Sequence, residues 1–178
     1  MTPPIHFLSF HELAFLKAEA QCRLNKTADA SNTLKTAVEA AFENFEINVQ
    51  ASQSAPSVNQ YGGIEPVGGA ALDAAAADSY FESSVKPLFS ADPLKEIMLQ
   101  KYIAFWGANG ESVETYNDVR RLKAEGKNIY DFANTGKFPL RGSYGNDDVV
   151  NNPNIAKLYT DAGNYVFTEN VWWAGGSR

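Results

Sequence analysis

Apolar residues recur every three or four positions through most of the first 126 residues, which predicts a succession of amphipathic helices. Ser9 and Glu12 have the S-x-x-E spacing of a capping box, which predicts that the first helix begins here. Its apolar face is expected to consist of Phe10, Leu13, Ala14, Leu16, Ala18 and Ala20. A second helix is expected to begin near Asp29 or Ser31, and the short gap between the two predicts an antiparallel hairpin.

Three further helices are predicted on the C-terminal side of this hairpin. One covers about residues 72–85 and should end before Pro87, since proline cannot continue an α-helix. The next begins at Asp92, a capping residue followed by proline, and is apolar on most sides, so we expect it to be the most buried helix. The last covers residues 111–124 and ends at Gly126.

After residue 126, Gly, Asn, Pro and aromatic residues replace the helical pattern, apart from a short helix expected near residues 155–161. We therefore predict an all-α fold with a single domain over residues 1–178, helical over 1–126 and loop-rich over 127–178. The first hairpin resembles one tetratricopeptide unit, although it lacks the Trp and Gly signature of that repeat.

Composition excludes several classes of function. The chain has 178 residues and a formal net charge of −6, which disfavours nucleic acid and anionic lipid as partners, because both require a basic surface. Cys22 is the only cysteine, so no internal disulfide and no cysteine-based metal site can form; we interpret it as a small core residue. No apolar run is long enough to span a membrane, and residues 1–7 lack the features of a signal peptide.

The motifs of catalysis are missing from the sequence. His11 and Glu12 begin like the zinc motif H-E-x-x-H, but Phe15 stands where the second histidine is needed. The adjacent Asp147 and Asp148 do not have the arrangement of a glycosidase pair, which faces across a cleft. We therefore predict a protein that is not an enzyme and that needs neither a metal ion nor a cofactor.

A polar, glycine-flanked loop over residues 51–69 contains the best candidate for ligand binding. Tyr61 provides a flat aromatic ring, and Asn59 and Gln60 beside it provide amide groups, a combination that suits the apolar faces and hydroxyl rim of a sugar. The alternative interpretation is a mobile loop with a lone exposed tyrosine.

Other aromatic and charged residues are interpreted as structural. Tyr102, Phe105 and Trp106 form an aromatic stripe on a helix, which is more often core than a binding platform. Four charged residues are expected to hold the irregular C-terminal segment in place through ion pairs and backbone contacts: Asp118, Arg120, Arg121 and Arg141. Trp172 and Trp173 follow a strand-like run and are expected to pin the end of the chain.

Six segments, in order, resemble the SusD (SusD/RagB) family. Two are helical: ELAFLKAEAQCRL at residues 12–24 and KEIMLQKYIAFWG at residues 95–107. The others are YNDVRR at 116–121, FPLRGSY at 138–144, NNPN at 151–154 and the final pair Trp172 and Trp173. The similarity extends over nearly the whole chain and corresponds to the C-terminal part of a family member.

The resemblance implies a non-catalytic role at the cell surface. SusD-like proteins are lipid-anchored on the outer face of the outer membrane, bind glycans or other nutrients such as peptides, and close over a SusC-type TonB-dependent transporter. Their fold is a tetratricopeptide-like helical scaffold. We therefore expect a glycan-binding or nutrient-binding component, anchored through a part N-terminal to this chain. The alternative is a helical scaffold that mainly contacts the transporter.

Overall fold

The computed structural model describes residues 7–53, 72–106, 111–133, 136–155 and 163–176. The described residues are helical or irregular and contain no β-strand, so the predicted all-α class is confirmed. The α-helices are α1 (Phe10–Arg23), α2 (Thr27–Gln53), α3 (Ala74–Tyr80), α4 (Lys86–Ala91), α5 (Pro93–Ala104), α6 (Ser112–Ala124), α7 (Asn146–Asn151) and α8 (Tyr165–Thr168). A π-helical segment, Phe81–Val85, joins α3 to α4, and a 3₁₀ turn, Trp172–Ala174, lies near the chain end.

The chain divides into two compact units, Met1–Tyr116 and Asn117–Arg178. The single-domain assignment, with its change of character after residue 126, stays a prediction. None of the described helices is long and apolar enough to cross a membrane.

The first unit is built on the predicted hairpin. α1 packs against α2 and α5, and α2 also contacts α3 and α5. Their shared core is closed by small and large apolar side chains that are almost fully buried: Ala14, Phe15, Ala18, Ala30, Leu34, Ala37, Val38, Phe81, Val85, Phe89 and Ile97. Cys22 is half-buried against this core, as expected for a small core residue.

The α1–α2 turn is tight because the backbone reverses at Asn25. This residue has a φ of 58°, in the left-handed region that asparagine tolerates better than most residues. The Asn25 amide donates to Cys22 O at 3.0 Å and the Lys26 amide to Gln21 O at 2.9 Å, which closes the last turn of α1. α2 therefore begins at Thr27, before the predicted start near Asp29 or Ser31.

Pro87 does not end the third helix, contrary to the prediction. The chain passes through the wider π-helical turns of residues 81–85 and continues as α4, with Pro87 in its first turn. Proline lacks an amide donor, and its ring collides with the carbonyl four residues earlier in a regular α-helix. The wider turn before it relieves this conflict.

The second unit begins within α6 and is held by a few specific contacts. Leu122 O accepts from the Lys127 amide at 2.8 Å, and Gly126, with a φ of 75°, ends α6 where glycine was predicted to do so. Further along, the Leu140 amide donates to Val166 O at 2.8 Å, which connects the segment after α6 to α8. α7 and the 3₁₀ turn were not predicted from the sequence, and most of the helix predicted near 155–161 lies outside the described residues.

Candidate functional site

The outer side of α5 exposes large aromatic and aliphatic side chains. Trp106, just after the helix, is 84% exposed, and Tyr102 and Ile103 are 50% and 53% exposed. Leu99, one turn earlier, is half-buried. These four residues, at three- and four-residue spacing along one side of the helix, are called the α5 outer face.

The side of α5 that faces the core carries polar groups instead. Glu96, Gln100 and Lys101 are all buried, together with Ile97 and Met98. Large apolar side chains are usually buried and charged side chains are usually exposed, so a helix with the opposite arrangement is a candidate for a functional role. The prediction that this is the most buried helix is therefore wrong for its outer face. Phe105 is buried as predicted, whereas Tyr102 and Trp106 are not core residues.

The buried polar groups of α5 are bonded in two places. Gln100 Nε2 donates to Glu96 Oε1 at 2.8 Å, and Gln100 also shares a hydrogen bond with the Tyr80 hydroxyl. Burial raises the pKa of Glu96, and the hydrogen bond from Gln100 opposes this by stabilising the charged form. Lys101 lies near the Phe105 ring, with Nζ 5.3 Å from the ring centre.

A second polar cluster lies where α1 begins. Ser9 caps the helix as predicted, since its hydroxyl accepts from the Glu12 amide at 3.1 Å. The second contact of the predicted capping box, from the Ser9 amide to the Glu12 carboxyl, is not formed, so this part of the prediction is wrong. The Ser9 amide donates to Glu111 Oε1 at 2.6 Å, so Glu111 takes the place that the Glu12 carboxyl has in a capping box.

The predicted ligand residues Asn59, Gln60 and Tyr61 lie outside the described residues. Their role stays a prediction. The α5 outer face was overlooked as a candidate surface, because an aromatic stripe within an apolar helix is typical of a core. The signal that could have found it is the periodicity of the polar residues: Glu96, Gln100 and Lys101 recur on one side of the helix and indicate that both sides are unusual.

The charged residues predicted to be structural lie in the second unit. Asp118 is buried on α6 and accepts from Arg121 Nη2 at 2.9 Å, while Arg121 also approaches Glu125. Arg120 is half-buried on the same helix. The Asp118–Arg121 pair joins neighbouring turns of one helix, and their predicted role of holding the irregular segment in place stays a prediction.

Arg141 lies in a cluster of two stacked tyrosines. Its Nη2 donates to the Tyr144 hydroxyl at 2.7 Å, and its guanidinium carbon is 4.9 Å from the Tyr144 ring centre and 5.5 Å from that of Tyr165. The Tyr144 amide donates to the buried Tyr165 hydroxyl at 2.9 Å, and Arg141 Nη1 is 3.5 Å from Glu169. This arrangement links the segment before α7 to α8 and uses the planar guanidinium as a lysine could not.

Trp172 and Trp173 lie in the 3₁₀ turn, which follows Val171 in an extended conformation. The Trp172 ring is 62% exposed, and the Trp173 side chain is outside the described residues. The extended residues before them do not form a strand.

Metal-ligand clusters and pocket linings can be described for part of the chain. No three histidine, cysteine, aspartate or glutamate side chains there are arranged to hold a metal ion. The groove between α1 and α2, of about 310 Å³, is lined by Phe10, Leu13, Ala14, Lys17, Asn32, Thr33 and Thr36. Its lining is mainly apolar, with Lys17 and three uncharged polar residues.

Comparison with known proteins identifies a relative of solved structure. No protein-family model and no curated protein sequence matches this chain. A crystal structure of a SusD/RagB family protein from Bacteroides thetaiotaomicron VPI-5482 matches it with 44% sequence identity and a TM-score of 0.79. The match covers 99% of this chain and 37% of that protein, so the chain spans little more than a third of its relative's length. The predicted resemblance is confirmed.

Proposed function

We propose, from the premise that this chain is SusD-like over almost its whole length, that it is part of a non-catalytic glycan-binding component of an outer-membrane uptake complex. Within this proposal the partner is a SusC-type TonB-dependent transporter. The complete protein is on the outer surface of the outer membrane, held by a lipid anchor N-terminal to this chain.

The observation that carries the proposal is the pair of exposed rings on the α5 outer face. A sugar presents C–H groups on its faces and hydroxyls on its rim, so a surface site needs flat aromatic rings held by a rigid element. Tyr102 and Trp106 are exposed by half or more and lie about one helical turn apart. Their rings lose little conformational entropy when a ligand binds, because α5 fixes the backbone of Tyr102 and the Trp106 amide donates to Ile103 O at 3.1 Å.

The predicted loop residues complete the proposed site. Tyr61 would supply a further ring, and the Asn59 and Gln60 amides would add directional hydrogen bonds to those that the Tyr102 hydroxyl and the Trp106 indole N–H can form. Since these residues lie outside the described part of the chain, their contribution is proposed from the sequence alone.

Single substitutions test the site once a binding polysaccharide has been found. Trp106→Ala should weaken binding at least about tenfold, the equivalent of about 1.4 kcal/mol, because a central aromatic contact is lost. Tyr61→Ala should also weaken binding. Trp172→Ala is the matched control, since this exposed tryptophan is not part of the proposed site and should leave affinity unchanged. Unchanged affinity in both Trp106→Ala and Tyr61→Ala would remove the proposed site.

A second candidate function is supported by the aliphatic members of the same face. Leu99 and Ile103 offer a sugar no directional contact, whereas exposed aliphatic and aromatic side chains together are typical of protein interfaces. If α5 contacts the transporter, Ile103→Ser should abolish co-purification of the two proteins and leave glycan affinity unchanged. A loss of glycan affinity alone would favour the sugar site.

A further inference from the structure

The beginning of α1 is attached to Glu111 by a buried polar cluster. Ser9, His11, Glu12 and Glu111 are all less than a tenth exposed, and Glu111 is only 2% exposed. Glu111 Oε1 accepts from the Ser9 amide at 2.6 Å, and Glu111 Oε2 lies 3.5 Å from His11 Nε2. Glu111 precedes α6 by one residue, so the cluster joins two segments that are about a hundred residues apart in sequence.

The Glu12 carboxyl group lies in the same buried cluster as that of Glu111, close enough for the two groups to interact electrostatically. An ionised carboxylate has acceptor oxygens only, so two carboxyl groups can form a hydrogen bond only when one of them holds a proton. Two buried carboxylates this close would repel each other, so the arrangement favours a proton on Glu12.

We propose that a proton on the buried Glu12 keeps the beginning of α1 attached to Glu111 in mildly acidic solution, and that this proton is released as the solution becomes alkaline. When the proton leaves, two buried like charges face each other, and the attachment of Ser9 and the first turn of α1 weakens.

Charged groups from every side of the cluster determine how tightly the proton is held. Burial contributes most to raising the pKa of Glu12, followed by the hydrogen bond to Glu111, the charge of Glu111 and, more weakly, the charge of Glu114. Lys101 on α5 opposes these effects, because its ammonium group stabilises the carboxylate. His11 also faces Glu111. Lys101 can balance one of the two carboxylates but not both, and His11 adds a positive charge only when it is protonated.

Together these groups raise the pKa of Glu12 to about 7 from an ordinary value of 4.5. Below pH 4.5 Glu12 is protonated in both folded and unfolded chains, and its full stabilising effect is present. As the pH rises towards 7 the unfolded chain loses this proton before the folded chain does, so stability falls across this window. The full shift corresponds to an up to about 300-fold increase in the unfolding equilibrium constant.

The test compares urea unfolding of the whole chain at several pH values between 4 and 8.5, for the wild type and for Glu12→Gln. Glutamine keeps a neutral group that can donate to Glu111. Between pH 4.5 and 7 the unfolding equilibrium constant of the variant should therefore rise by a factor at least about ten times smaller than that of the wild type. Glu82→Gln is the matched control. It removes the same charge from an exposed glutamate paired with Lys86 and should keep the wild-type pH dependence. Equal pH dependence in wild type and Glu12→Gln would overturn the proposal.

Two measurements on the wild type keep the proposal testable if Glu12→Gln fails to fold. The carbon chemical shift of the Glu12 carboxyl should titrate near pH 7, and a midpoint near 4.5 would overturn the proposal. Hydrogen-exchange protection of the Ser9, Glu12 and Leu13 amides, relative to their intrinsic rates, should fall at least about tenfold between pH 5.5 and 8. Unchanged protection would show that the proton does not fasten α1.

Discussion

The orientation of α1 can be tested with two phenylalanines on the same helix. Phe15 is 1% exposed and packs in the core of the first unit, whereas Phe10 is 66% exposed at the edge of a shallow groove. Phe15→Ala and Phe10→Ala remove the same atoms from one helix. Any difference in their stability therefore reports which side of α1 faces the core.

The magnitude follows from burial. Replacing a buried phenylalanine by alanine costs about 3–5 kcal/mol, since the apolar transfer energy is lost and a cavity remains. The core around Phe15 includes Ala14 and Ala18, whose short side chains cannot extend into the space that the ring leaves. At the exposed Phe10 we expect a loss below about 1 kcal/mol.

The assay is urea unfolding followed by far-UV circular dichroism at fixed pH. With a denaturant slope of about 1–3 kcal/mol per molar urea, Phe15→Ala should lower the midpoint by about 2 M, and Phe10→Ala by a few tenths of a molar. Equal losses, or a larger loss at Phe10, would refute the inference that Phe10 lies outside the core and Phe15 within it.

Three further substitutions test local contacts by the same assay. Arg141→Lys should destabilise the second unit by about 1–3 kcal/mol, because lysine cannot both lie over the rings and donate to the Tyr144 hydroxyl; a change below about 0.5 kcal/mol would contradict this reading. Asp92→Ala should cost about 1 kcal/mol, since Asp92 accepts from the Lys95 amide at 3.1 Å, whereas Asp92→Asn should retain most of the cap. Gly126→Ala should cost about 1 kcal/mol, because the φ of 75° strains alanine although no neighbouring atom blocks its methyl group; no loss would show that the turn adopts another conformation.

Helix positions and caps could be predicted well from the sequence, because they depend on local chemistry. Asp92 caps α5 as its type and the following proline indicate, and Gly126 ends α6 in the conformation that glycine favours. Ser9 caps α1 for the same reason. Its partner could not be predicted, since Glu111 is about a hundred residues away and reaches Ser9 only through tertiary packing.

The side of each helix that faces the core was harder to predict. On α1 the small residues Ala14 and Ala18 are buried with Phe15, while Phe10, Leu13 and Leu16 are exposed. Alanines on α1 allow α2 and α5 to approach closely. The face of α1 with small side chains is therefore packed in the core, although the opposite face has more apolar atoms. On α5 the buried side holds Glu96 and Lys101, whose hydrogen bonds and charge partners are contributed in part by other elements.

Prediction of the candidate site was limited by the same problem. The amides and ring at residues 59–61 were selected for their chemistry, but the residues that surround them depend on how distant segments meet. Tyr102 and Trp106 were assigned to the core because an aromatic stripe on a helix is usually buried. Their exposure becomes visible only once the opposite side of α5 is known to face the core.

The central claim, that this chain belongs to a glycan-binding component, is tested most directly by affinity gel electrophoresis against plant, host and microbial polysaccharides. The account predicts that at least one polysaccharide retards the folded chain, that Trp106→Ala reduces the retardation, and that no reducing ends are released during incubation. Migration unaffected by every polysaccharide, with circular dichroism confirming a folded chain, would contradict a glycan site in this part of the protein. Release of reducing ends would contradict its non-catalytic role.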